Sequence, residues 1–76
     1  MINPIDSIEE ARDAVARVAS NAKEFELPIS DVLQDSMGIN MAIILDAILA
    51  RGYEPDGFVQ KNGYRVYLYK AMEQPN

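Results

Sequence analysis

Residues 58–70 read FVQKNGYRVYLYK, and this stretch decides how the C-terminal part of the chain folds. Its centre, Asn62-Gly63, is typical of a two-residue hairpin turn, because a type I′ turn needs positive φ at both positions. The turn pairs Val59 with Val66 and Phe58 with Tyr67. The second run is rich in aromatic and β-branched residues, which strands prefer. The sequence therefore predicts a β-hairpin over about residues 57–70.

The two faces of this hairpin differ in composition, because side chains alternate along a strand. One face carries Val59, Tyr64, Val66 and Leu68, and we expect it to be core. The opposite face carries Phe58, Gln60, Arg65, Tyr67 and Tyr69. Aromatic residues with an arginine are enriched at interface hot spots. Two other interpretations stay open, namely cross-strand pairs that only stabilise the ribbon and stacking on single-stranded nucleic acid.

The segment before the hairpin predicts a third helix over about residues 41–51. At 100° per residue, one wide arc of this helix is expected to face inward, and it comprises Met41, Ile44, Leu45, Ile48 and Leu49. Ile43, Ala47 and Ala50 fall outside that arc, so the helix is apolar nearly all round. Such a helix is either central to a small core or docks a partner through the face around Ile43 and Ala47.

Two earlier helices are predicted. Ser7 and Glu10 fit a capping box that starts a helix over about residues 7–25, closed by Pro28. Its apolar stripe comprises Ile8, Ala11, Val15, Val18, Ala22 and Phe25. Ser30 is the expected N-cap of a short helix over about residues 31–37. Its inward side chains are expected to be Val32, Leu33 and Met37.

Together these elements predict one α+β domain over residues 1–76, with three helices followed by a C-terminal β-hairpin. Only the ends, about residues 1–5 and 72–76, look loose. Gly38 stands between the second and third helices, followed by an aliphatic Ile39 and by Asn40 as helix cap. This pattern and element order resemble the winged helix-turn-helix superfamily. The resemblance implies a winged-helix-like architecture and DNA binding through the third helix.

The residues of that helix do not suit DNA. The positions that the resemblance assigns to base reading hold Met41, Ala42, Ile43, Leu45 and Asp46. None of them makes the bidentate contacts that Arg, Lys, Asn or Gln make to base edges. Residues 1–50 hold nine acids and three bases, whereas residues 51–70 hold four bases and two acids. A polyanion would be repelled by most of this surface.

Composition excludes several classes of chemistry. The chain has no Cys and no His, so disulfides, thiolate metal sites and a histidine proton shuttle are absent. The serines therefore lack a histidine to activate them. Asp31 and Asp35 could hold Mg²⁺, although a solvated acidic helix face explains them as well. We predict no catalytic residues, no metal site, no cofactor and no small-molecule ligand, hence no enzyme.

The remaining prediction concerns location and partners. No apolar run is long enough to cross a membrane, and the first residues do not resemble a secretory signal, so a cytoplasmic location is the default. The leading functional prediction is a small protein-interaction module, acting as a homodimer or adaptor. Its expected partner-binding residues are Ile43, Ala47, Phe58, Arg65, Tyr67 and Tyr69. The alternatives are a winged-helix DNA-binding transcriptional regulator and an acidic nucleic-acid mimic that inhibits a nucleic-acid-binding protein.

Overall fold

The structure, a computed structural model, describes residues 3–36 and 38–72, with side chains over 3–35 and 41–72. Its elements are α1 (Ile8–Ala16), β1 (Glu24–Ser30), α2 (Asp31–Ser36), α3 (Gly38–Ala50), β2 (Tyr53–Gln60) and β3 (Tyr64–Ala71). The chain is α+β, but the predicted order of three helices followed by a hairpin is wrong. A strand, β1, lies between the first two helices and completes a three-stranded antiparallel sheet in the order β1-β3-β2.

The second half of the predicted first helix is where the prediction fails. The capping box is present, since the Glu10 amide donates to the Ser7 hydroxyl at 3.1 Å, but α1 ends at Ala16. Residues 24–30 alternate instead with a period of two, so that Phe25, Leu27 and Ile29 share one face of a strand. Apolar spacing alone fitted Ala22 and Phe25 to a helix, and the shorter period that follows overrides it.

Two side chains from the segment that joins α3 to the start of β2 bind the chain at the point where α1 stops. The Arg51 guanidinium donates to the carbonyls of Val15 and Val18. The Tyr53 hydroxyl donates to the Ala22 carbonyl at 2.7 Å and lies 3.3 Å from that of Ala19. The last carbonyls of a helix lack intrahelical partners, so these bonds satisfy groups that a longer helix would have satisfied itself.

The hairpin forms with the predicted pairing, Val59 opposite Val66 and Phe58 opposite Tyr67. Its turn is not the predicted type I′, because φ is positive at Gly63 but not at Asn62. β1 pairs with the other edge of β3 and places Leu27 beside Tyr67. Ile5 bridges the outer edge of β1, where its amide donates to the Pro28 carbonyl at 2.7 Å. Ile5 is buried, so this part of the supposedly loose N-terminal stretch is held to the sheet.

The helices pack against one face of the sheet, and this face is the reverse of the one predicted to be core. The buried core residues are Ile5, Ala11, Val15, Leu27, Ile29, Leu33, Ile44, Ile48, Tyr53 and Tyr69. Tyr67 and Phe25 are partly buried against this cluster. β1 decides the outcome, because its aliphatic residues Leu27 and Ile29 lie on the same face as Tyr67 and Tyr69 of β3.

α2 begins at Asp31, directly after the last residue of β1. The Ser30 hydroxyl accepts the Leu33 amide at 3.1 Å, as expected of an N-cap. Leu33 is buried, whereas Val32 is exposed rather than inward. Gly38, expected in the turn, is the first residue of α3. The predictions for Met37, for the side chains of 39 and 40, and for residues 1–2 and 73–76 lie outside what the structure describes.

Candidate interaction surfaces

Helix α3 has one face in the core and one face in solvent. Ile44 and Ile48 are only 2% and 0% exposed, whereas Ile43 and Leu49 are 45% and 39% exposed. The exposed residues form one stripe, here called the outer stripe, which comprises Ala42, Ile43, Asp46, Leu49 and Ala50. At 100° per residue they fall within about 120° of the helix circumference. The apolar character of α3 therefore continues onto its solvent side.

Two residues of α3 lie elsewhere than predicted. Ala47, expected beside Ile43 on the outer face, is partly buried against the core. Leu49, expected to face inward, is exposed on the outer stripe. The reason is that the helix contacts both α1 and β2, so its buried side is centred on Ile44 and Ile48 rather than between Ile48 and Leu49.

Three of the predicted hairpin residues form a cluster at the end of the sheet. The Arg65 guanidinium carbon lies 4.2 Å from the ring centroid of Phe58, and the rings of Phe58 and Tyr67 are 5.9 Å apart. Arg65 donates to the Tyr67 hydroxyl at 3.1 Å, and this hydroxyl donates to Gln34 at 3.2 Å. Arg65 also donates to Gln60 at 3.0 Å. The cluster thus joins the hairpin to α2, which gives its polar groups partners within the chain.

Tyr69 does not belong to that cluster. Its ring stacks on Phe25, with centroids 5.1 Å apart, and it is buried in the core. A protein partner therefore cannot reach most of this side chain while the domain is folded. Of the six predicted partner-binding residues, Ile43 and Phe58 are the exposed large apolar ones.

The opposite side of the sheet is a surface that the sequence analysis took for core. We call it the open sheet face, and it carries Pro28, Val59, Tyr64, Val66 and Leu68. None of these residues belongs to the core cluster of the described chain. Several of them line a shallow depression of about 300 Å³, together with Glu26 and Lys61. Recognising the alternation of β1 from Glu24 to Ile29 would have identified this face from the sequence.

Charged side chains border the open sheet face at its other end. Glu24 and Glu54 flank Lys70 in cross-strand positions. The Lys70 amine lies 3.9 Å from a Glu54 carboxylate oxygen and 3.7 Å from one of Asp56. These exposed ion pairs contribute little stability. They partly offset the charge of Lys70, one of the bases near the aromatic residues that nucleic-acid binding would use.

The paired acids of α2 stay an unassigned feature. Asp31 and Asp35 are exposed at either end of this helix. Over the described residues, no three or more side chains of Asp, Glu, His or Cys are grouped so that they could hold a metal ion. No helix within the same residues is long and apolar enough to cross a membrane.

Comparison with known proteins adds no relative. No protein-family model, no curated protein and no solved structure matches this chain. The winged helix-turn-helix resemblance stays a prediction from the sequence.

The burial of Tyr69 predicts a loss of stability at high pH. Burial first, and then the neighbouring Tyr67, raise the pKa of Tyr69 from 10.0 to about 12. The unfolded chain thus loses this proton near pH 10 while the folded chain keeps it. The contribution of Tyr69 to stability is therefore constant below about pH 10 and falls by about 2 kcal/mol between there and pH 12. Urea denaturation across that range measures the fall.

Tyr69→Phe is the control for this prediction, because it keeps the ring and removes the ionisable hydroxyl. We expect the variant to match the wild type near neutral pH and to lose less stability above pH 10. An equal alkaline loss in both proteins would mean that other tyrosines cause it.

Proposed function

We propose that this chain is a non-enzymatic protein-interaction module that binds its partner through the outer stripe of α3. One observation carries the proposal, namely that Ile43 and Leu49 are exposed on the same helix whose opposite side supplies Ile44 and Ile48 to the core. Single exposed apolar residues are normal on proteins. An apolar stripe along one helix is a common way in which proteins recognise each other, since helices dock through such faces.

The length of the stripe supports this assignment. Ala42 and Ala50 mark its ends, about 12 Å apart at 1.5 Å per residue. This distance corresponds to about two helical turns, enough to seat one element of a partner. The only acid within the stripe is Asp46. The open sheet face offers a second apolar surface, on which Val66 is buried and Val59 is exposed.

The proposed function is non-enzymatic because of the amino-acid composition of the chain. Without His or Cys, the chain lacks the side chains that most often act as bases or nucleophiles near neutral pH. The depressions on its surface are shallow and lined by residues of mixed type, such as Glu26 and Lys61 beside Val59.

The alternative of a DNA-binding regulator has less support. The hairpin bases expected to carry it are Lys61, Arg65 and Lys70, and two of these three are already engaged, as is Arg51. Arg65 bonds to Gln60 and Tyr67, Lys70 lies beside two carboxylates, and Arg51 binds the end of α1. The acidic-mimic alternative draws only on the net charge of −5. Duplex-DNA titration at low salt tests the first, and neutralising the acids of α1 tests the second.

Site-specific photo-crosslinking in the cells that make the protein tests the proposal. A photoreactive amino acid at position 43 should give a discrete adduct, because a bound partner covers this side chain. Leu49→Asp should abolish the adduct by placing a charge within the apolar contact. The matched control is the same photoreactive residue at Asp13, which is exposed on α1.

Two outcomes would contradict the proposal. One is the absence of any adduct from position 43, and the other is the same adducts from positions 43 and 13. An adduct with twice the mass of the chain would identify the partner as a second copy.

A further inference from the structure

We infer that the partner presents a basic amphipathic helix, with a Lys or Arg at its centre that pairs with Asp46. The inference rests on the proposed function and specifies the chemistry of the partner. It depends on the position of Asp46, on the charges around it, and on the way a second copy of the chain would have to pack.

Asp46 lies at the middle of the outer stripe. It is three residues from Ile43 and three from Leu49, a spacing that makes side chains neighbours on a helix surface. A partner that covers the stripe must therefore cover this carboxylate as well. Covering a charge without a counter-charge is costly, so a fitting partner supplies a basic group at this point.

The surrounding charges increase this preference. Residues 31–50, which span α2 and α3, contain three acids (Asp31, Asp35 and Asp46) and no base. Over the described residues, the ion pairs are those of Lys70 with Glu54 and Asp56, and Asp46 takes part in none. The next base along the chain, Arg51, directs its guanidinium to the end of α1. No base within residues 31–50 therefore offsets Asp46, which favours a basic partner at this point of the stripe.

A second copy of the chain fits this surface poorly. A two-fold axis through the middle of the stripe makes the same patch meet itself. Whether the two helices run parallel or antiparallel, Asp46 then lies opposite the Asp46 of the second copy. Two carboxylates would be covered together, which is destabilising. A different chain that carries a base at this position avoids the cost of covering two carboxylates together.

The shape of the stripe favours a helix as the docking element. It is about two turns long and about a third of the helix circumference wide, so one helix can cover it. The small side chains of Ala42 and Ala50 let a second helix approach closely at both ends, since interaxial distance depends on the side chains at the contact. Ile43 and Leu49 would then insert between the apolar side chains of the partner.

Titration of the full chain with designed peptides tests the inference. The probe is a helical peptide of about 18 residues, long enough to form an isolated helix, built from Leu and Ala with Lys along one side. The matched peptide has Glu in place of each Lys. The readout is the amide chemical shifts of the protein. We expect the basic peptide to bind more tightly and to shift the amides of residues 42–50.

Asp46→Asn should weaken binding of the basic peptide about two- to fivefold, as expected for one exposed ion pair. Asp46→Lys should reverse the preference in favour of the acidic peptide. Asp13→Asn, the same chemical change on the exposed side of α1, should leave binding unchanged. Raising the salt from about 50 mM to about 500 mM should weaken binding of the basic peptide by screening.

The inference is overturned if both peptides bind equally, if Asp46→Asn has no effect, or if the shifts map to the open sheet face. Its failure is distinguishable from that of the proposed function. If Ile43→Asp abolishes binding of both peptides while Asp46→Asn changes neither, docking on the stripe stands and the charge argument falls. If no peptide binds and cross-linking from position 43 is also absent, both fall.

Discussion

Ile48→Asp should leave the domain unfolded at neutral pH. Ile48 is fully buried, and truncating such a residue alone costs about 2–5 kcal/mol. Burying an unpaired carboxylate adds several kcal/mol more. A domain of this length has a total stability of about 4–11 kcal/mol, so the sum of the two costs is comparable to the whole. Circular dichroism should show loss of both helix and sheet, without a cooperative thermal transition.

Ile43→Asp is the matched control, since it makes the same chemical change on the same helix five residues away. Ile43 is 45% exposed, so its carboxylate stays in water, and we expect a stability change within about 1 kcal/mol. The pair separates the two interpretations of α3 that the sequence left open. If both variants unfold, the outer stripe is part of the core, and the proposed docking surface does not exist.

The sequence predicted best those elements whose signals are local. The pairing of β2 with β3 follows from Asn62-Gly63, which marks the position of the turn, although of these two residues only Gly63 has the positive φ expected of both. The start of α1 and the start of α2 follow from Ser7 and Ser30, each of which caps a helix through its own hydroxyl. The buried pair Ile44 and Ile48 follows from helical spacing. In each case the decisive partners lie within a few residues.

The strand β1 was missed because two periodicities overlap there. Val18, Ala22 and Phe25 continue the helical spacing of α1, whereas Phe25 and Leu27 begin a period of two. Contacts with residues far along the chain decide between them. Phe25 packs edge-on against Tyr53, with ring centroids 4.9 Å apart. A contact between residues so far apart in the sequence cannot be predicted from the spacing of apolar residues. Tertiary contacts therefore overrode the local helical pattern.

Because β1 was not predicted from the sequence, the wrong face of the hairpin was assigned to the core. With only two strands, the face with Val59 and Val66 is the more aliphatic and is naturally assigned to the core. β1 places Leu27 and Ile29 on the opposite face, with Tyr67 and Tyr69. The helices cover this face. Tyr69 is therefore buried and Tyr67 partly buried, whereas Phe58 on the same face stays exposed. The exposure of Ile43 was one of the two possibilities that the sequence had left open.

Arg51→Met should destabilise the domain by about 3 kcal/mol or more. The Arg51 guanidinium donates to the carbonyls of Val15 and Val18, and hydrogen bonds of a charged group contribute about 1.5–3 kcal/mol each. It also places a positive charge at the C-terminal end of α1, where the helix dipole favours one. Methionine keeps an apolar stem but satisfies neither carbonyl. Urea denaturation measures the change as a lower midpoint with a similar slope.

Tyr53→Phe provides the comparison, because it removes a neutral donor from the neighbouring carbonyl of Ala22. We expect a loss of about 1 kcal/mol, and amide exchange should rise over residues 15–22 in both variants, more in Arg51→Met. These two residues tie the end of α1 to the start of β2, so they help to fix α3 relative to α1 and β2, both of which it contacts. If Arg51→Met retains wild-type stability, solvent must satisfy those carbonyls equally well. The position of α3, and with it the orientation of its outer stripe, would then have to be set by the apolar contacts of Ile44 and Ile48 alone.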